Sequence, residues 1–137
     1  MAVKVKYIDG LQFVGESGSG HAIVMDGYSE VGGNNTGMRP MEMLLVALGG
    51  CSGMDVASIL KKKKQEFSGL EIKVNGNTSE DYPKKFTEIK IEFIVKGKGV
   101  NEDALKKTIE LSMEKYCSVK ATIEGVAKVS WSYEIVE

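Results

Sequence analysis

The chain opens on a two-residue period. Val3, Val5 and Tyr7 alternate with Lys4 and Lys6, the pattern of a strand with one apolar face. Asp9-Gly10 is a hairpin signal, and a second strand is predicted over Leu11 to Glu16. A Gly/Ser turn at 17–20 leads to a third strand over His21 to Asp26. Residues 32–37, rich in Gly and Asn, read as a loop. The period then changes. Met41, Leu44, Leu45, Leu48, Ser52, Val56, Ile59 and Leu60 recur at three- and four-residue spacing, which predicts a long amphipathic helix. Pro40 suits its first turn, and the lysines at 61–64 suit its last turn by complementing the helix dipole.

Alternation returns at Leu70, Ile72 and Val74, and again at Thr87, Ile89, Ile91, Phe93 and Val95. A second helix follows, with Asn101 as its N-cap and Glu102 and Asp103 in its first turn. Leu105, Thr108, Ile109, Ser112, Met113 and Tyr116 form its expected inner stripe. Val129, Trp131, Tyr133 and Ile135 alternate with polar residues in a closing strand. Hairpin, helix, two strands, helix and strand in that order predict an α+β fold with a mainly antiparallel sheet, in a single domain over residues 1–137.

Composition narrows the function classes. Hydrophobic residues make up 42% and charged residues 27%, with a net charge of -1, so no global field points to nucleic acid or anionic lipid. The alternating N-terminus is not a signal peptide, and no stretch reads as a membrane span of ~20 apolar residues. A cytoplasmic protein with no nucleic-acid or membrane partner is expected. In that reducing compartment a permanent structural disulfide is not. Two distant cysteines and one histidine, His21, cannot furnish a four-ligand zinc site. Cys51 and Cys117 are therefore either two inert buried thiols or a redox couple.

Cys51 lies within Gly49-Gly50-Cys51-Ser52-Gly53. Each glycine inside a helix costs about 1 kcal/mol relative to alanine. A helix accepts that where its backbone approaches another element closely, and bare backbone also opens access to a thiol. Cys117 ends the second helix, and packing of the two helices would bring the sulfurs within disulfide reach. Arg39 is the only arginine in the chain. Its guanidinium can hold a carboxylate or a thiolate, or it can be a surface residue at a helix start. Glu42 either complements the helix dipole or partners Arg39. Asp55, one turn beyond Cys51, reads as a cap or a dimer contact. His21 reads as a core or surface histidine before a catalytic base.

The segment Arg39-Pro40-Met41-Glu42-Met43-Leu44-Leu45-Val46-Ala47-Leu48-Gly49-Gly50-Cys51, continued by Met54-Asp55-Val56, resembles the OsmC/Ohr family of organic hydroperoxide reductases. Glu114-Lys115-Tyr116-Cys117-Ser118-Val119 resembles that family's second cysteine segment. The likeness is to the small OsmC-like branch with Arg-Pro before the central helix. It implies an intertwined homodimer with its active sites at the subunit interface. It also implies a peroxidase in which Cys51 attacks a hydroperoxide, Cys117 resolves the sulfenate as a disulfide, and an external thiol serves as reductant with no cofactor. Two departures stand out. No arginine occurs in the N-terminal β region, where the family's best-known members carry one. Met41 follows the helix-start proline where those members have glutamate, and Glu42 is rotated about 100° from it. Arg39 and Glu42 are the substitutes the sequence offers.

A different reading is a dimeric module that binds a small ligand or senses redox state, motivated by the methionines at 38, 41, 43 and 54. An RNA-binding reading finds no cluster of aromatic and basic residues to support it.

Overall fold

The computed structural model describes all 137 residues, in two compact units, Met1–Leu44 and Leu45–Glu137. In the first, β1 (Val3–Asp9), β2 (Gln12–Ser17) and β3 (Ala22–Met25) form an antiparallel sheet in that order. The hairpin forms where Asp9-Gly10 predicts it, because Gly10 adopts φ +53°, a left-handed conformation that costs a glycine little. The alternation of β1 does not become alternating burial. Val3, Val5 and Tyr7 are 66%, 57% and 60% exposed, so this strand's apolar face is uncovered.

The segment after β3 is ordered by one carboxylate. Asp26 is buried and accepts hydrogen bonds from the Thr36 hydroxyl and from the backbone amides of Gly27, Asn34 and Thr36. Close beside it, a Cβ at Gly33 would lie 2.1 Å from the Gly27 carbonyl oxygen, so only glycine fits. The Thr36 hydroxyl and those amides hold the Asp26 carboxyl below its ordinary 3.8 despite the opposing effect of burial. A carboxyl depressed in the folded state stabilises the fold above its unfolded pKa, and that stabilisation is lost as pH falls through the folded value. Asp26→Asn is therefore expected to melt below the parent near neutral pH, and the gap is expected to narrow below about pH 3.8. Thermal melts across that range, followed by circular dichroism, check it.

Helix α1 runs from Pro40 to Lys62, as its period predicts. Its buried stripe is Leu48, Ser52, Val56 and Leu60, whereas Met41 and Leu44 at its start are exposed. At 23 residues it is long and apolar enough to cross a membrane by length and composition, which corrects the expectation that no stretch qualifies. Here its buried face packs on a sheet. A Cβ at Gly49 would lie 3.1 Å from Val74, and one at Gly53 would lie 3.2 Å from Ile72. These two glycines let the helix backbone approach the sheet.

That sheet comprises β4 (Gly69–Thr78), β5 (Phe86–Lys96) and β6 (Lys128–Val136), in that order. β4 and β5 pair antiparallel, but β5 and β6 pair parallel. A parallel neighbour requires a crossover. It is supplied by α2 (Glu102–Leu111), a π-helical turn (Ser112–Tyr116) and α3 (Ser118–Ile123). β5 is central, and its Ile89, Ile91, Phe93 and Val95 are all buried, together with Leu48, Val56 and Leu60 of α1 and Leu105 and Ile109 of α2. The Asn101 side chain caps α2 by accepting from the Ala104 amide at 2.8 Å.

The sequence predicts a regular helix as far as Tyr116. Instead the amide of Cys117 donates to the carbonyl of Ser112, five residues back, at 2.8 Å. A π-turn inserts one residue into the helical repeat. Tyr116 is thereby carried out to solvent and Cys117 inward, at 49% and 3% exposure, which removes Tyr116 from the expected stripe. The wide turn also ends the helix, and the new N-terminus of α3 begins at once.

Candidate thiol site

The π-turn places Cys117 opposite α1. The sulfurs of Cys51 and Cys117 and a carboxylate oxygen of Asp55 all lie within 4.8 Å of one another. Cys51 and Asp55 are four residues apart on α1, so they share one face. Asp55 is mid-helix and caps nothing. Its Oδ2 accepts a hydrogen bond of 2.8 Å from the hydroxyl of Ser112, which fixes the carboxylate and ties α1 to the π-turn. Both cysteines are free thiols, Cys51 half-buried and Cys117 buried. Gly50, unlike Gly49 and Gly53, faces open space with nothing within 4 Å of a Cβ built on it.

The Cys117 thiol is pushed up to about 11, chiefly by burial, with the hydrogen bond to Cys51 and the negative charges of Cys51 and Asp55 adding to it. One interaction opposes them. Cys117 caps α3, and the Lys120 amide donates to its sulfur at 3.4 Å. At neutral pH Cys117 is thus a protonated, covered thiol, and Cys51 is the sulfur that solvent reaches.

Arg39 and Glu42 belong to the N-terminal unit. The Arg39 guanidinium donates to the Gly37 carbonyl at 2.7 Å and to the Asn35 side chain at 2.6 Å, and its Cζ stacks 3.9 Å from the Tyr28 ring centroid. Glu42 accepts from the backbone amide of Arg39 at 3.0 Å, while the Arg39 carbonyl takes the first helical bond from Met43. That is half of a capping box. Glu42 therefore meets Arg39 through its backbone, not its guanidinium. His21 is exposed, with its ring 3.2 Å from the Ser19 hydroxyl. Met38, Met41 and Met54 are exposed as well, so the methionine-rich block is not a core.

Asp55 is the member of the cluster that sequence reasoning undervalued. Its four-residue spacing from Cys51 was the available signal. Its contact with Ser112 depends on where the π-turn falls, which no local pattern encodes.

A sequence model of the family described as OsmC-like protein matches residues 32–132. The chain belongs to this family. It is similar to Protein YhfA of Escherichia coli (strain K12), 43% identical over 136 residues that cover 99% of this chain and 98% of that protein. A hypothetical protein from Aquifex aeolicus VF5 is similar in structure, with 38% identity, a TM-score of 0.82 and coverage of 99% of this chain and 97% of that one. An organic hydroperoxide resistance protein OsmC from Legionella pneumophila shares the fold at 15% identity, with a TM-score of 0.72 over 98% of this chain and 97% of that one. This OsmC-like chain thus has the α+β fold expected of it, with the long helix carrying Cys51.

Proposed function

We propose that this OsmC-like protein is a thiol-dependent peroxidase acting on organic hydroperoxides or hydrogen peroxide. The observation that carries the reading is a half-exposed thiol and a buried thiol within 4.8 Å of one another. Cys51, as thiolate, attacks the distal peroxide oxygen. The O–O bond breaks, and the leaving alkoxide takes a proton and departs as alcohol, or as water from hydrogen peroxide. The Cys117 sulfur then displaces hydroxide from the Cys51 sulfenic acid, releasing water and leaving a disulfide. A disulfide spans about 2.05 Å between sulfurs, so the pair closes by less than about 3 Å. An external thiol restores both cysteines by exchange, and no cofactor takes part.

An open, mostly apolar groove of about 490 Å³ lined by Leu45, Val46, Gly49, Gly50, Ile72 and Val74 adjoins the Cys51 segment and suits an alkyl or aryl hydroperoxide. In this reading Arg39 and Glu42 order the first turn of α1, the helix that carries Cys51. We also place the protein in the cytoplasm as a homodimer. Support for the dimer comes from apolar residues left exposed, Val3, Val5 and Tyr7 on β1, and Val46 and Met54 on α1.

The test is stoichiometric. Reduced protein treated with one equivalent of cumene hydroperoxide is expected to lose both free thiols and gain one intramolecular disulfide, read by thiol titration and intact mass. Survival of both thiols defeats the proposal.

A further inference from the structure

We propose that Cys51, Asp55 and Cys117 form a binding site for a thiophilic divalent cation of the zinc class. Their ligand atoms converge from two elements, α1 and the end of the π-turn, to within 4.8 Å of one another. Around a tetrahedral zinc ion, with Zn–S near 2.3 Å and Zn–O near 2.1 Å, such atoms stand roughly 3.5–3.8 Å apart. The cluster therefore needs a contraction of about 1 Å, which Cys51 can supply from its half-exposed position.

The donor set decides the class of ion. Two sulfurs and one carboxylate oxygen select zinc-like cations and disfavour magnesium and calcium, which take oxygen ligands. Two ligands are already oriented from behind, as metal sites require. The Ser112 hydroxyl holds Asp55 at 2.8 Å, and the Lys120 amide points at Cys117. Three protein ligands leave the fourth tetrahedral position open on the side of Cys51, for water or a small thiol. Sequence alone excluded a four-ligand site. It did not count Asp55, which completes this three-ligand one.

An ion seated here ties up both sulfurs, so oxidation of the pair by peroxide proceeds only with loss of the ion, and the cation regulates the thiol pair. This consequence rests on the peroxidase reading; the binding site does not. In balance, the zinc dithiolate, one hydroperoxide and two protons give the disulfide, an alcohol, water and the free zinc ion.

Reduced protein titrated anaerobically with Co²⁺ is expected to develop thiolate-to-cobalt charge-transfer absorption that saturates at one ion per chain and is displaced by Zn²⁺. Cys51→Ser and Cys117→Ser should each retain the folded circular dichroism spectrum, weaken Co²⁺ binding at least tenfold and lose about half of the charge-transfer intensity, since one sulfur remains. Asp55→Ala should weaken binding about tenfold with the intensity kept, because both sulfurs remain. Absence of the charge-transfer band, or unchanged Co²⁺ affinity in Cys51→Ser, overturns the site. Cumene hydroperoxide is then added to the zinc-loaded protein with a chromogenic chelator present. Zinc release coupled to disulfide formation supports both readings. Charge transfer from two sulfurs in a protein whose thiols resist peroxide with and without metal overturns the peroxidase and leaves the metal site standing. Disulfide formation without any charge-transfer band overturns the metal site alone.

Discussion

Cys51→Ser is expected to lower hydroperoxide consumption at least a hundredfold, about 2.7 kcal/mol in the barrier, whereas Cys117→Ser leaves the first oxidation intact. The asymmetry follows from the surroundings of each sulfur. Burial and the neighbouring Cys51 and Asp55 push the Cys117 thiol up to about 11. At pH 7 roughly one molecule in ten thousand then carries a Cys117 thiolate, and only the thiolate attacks peroxide. Cys117 is also 3% exposed, so a hydroperoxide cannot reach it without opening the core. Cys51 is half-buried and sits beside Gly50, where the helix surface is bare. In Cys117→Ser a sulfenic acid should accumulate on Cys51, trapped by dimedone and seen by mass. Turnover with an excess small thiol should persist at a reduced rate. The measurement is peroxide loss over time for the parent and both variants. Peroxide consumption by Cys51→Ser at the parental rate would assign the attack elsewhere.

Much of the fold was legible because each element carries its own period. The alternation at Ile89, Ile91, Phe93 and Val95 became the buried face of the central strand, and the three- and four-residue spacing from Leu48 to Leu60 became the buried stripe of α1. Asn101 announced its cap, and the cap is made. The misses share a cause. A parallel β5–β6 pairing, a π-turn at Ser112–Tyr116 and a short α3 are outcomes of packing, and the residues at 112–118 would suit an ordinary helix equally well. The exposed face of β1 was missed for the opposite reason. Alternation records that an apolar face exists, not what covers it.

The two cysteines were legible as candidates through the glycines around Cys51 and the likeness of both segments to one family. What the site looks like was not. Asp55 is tied to the thiols through Ser112, 57 residues away in the chain. Arg39 stood out as the only arginine, yet its guanidinium is spent on Gly37, Asn35 and Tyr28 in its own loop. Rarity in the sequence identified a residue that matters locally, and only geometry could say to what.

Phe93→Ala is expected to destabilise the C-terminal unit by about 3–5 kcal/mol, the usual cost of removing a buried aromatic ring. Phe93 is fully buried on the central strand, paired with Ile72 of β4 on one side and Tyr133 of β6 on the other. Those neighbours are fixed by two ladders and cannot collapse into the vacated space without breaking register, so most of the cavity should remain. Against a total stability of about 5–15 kcal/mol for a domain of this size, the loss is a large fraction. A melting temperature lower by roughly 15–30 °C follows. Tyr82→Ala, at a residue 86% exposed, should move it little. Phe93→Ala should also loosen the thiol site, because α1 and α2 both rest on the face that Phe93 fills. Cys117, shielded by that packing, should then react faster with a thiol-specific reagent at a temperature where the variant is still folded. A full loss of stability with no change in Cys117 reactivity would mean that the π-turn holds its cysteine independently of the sheet beneath it.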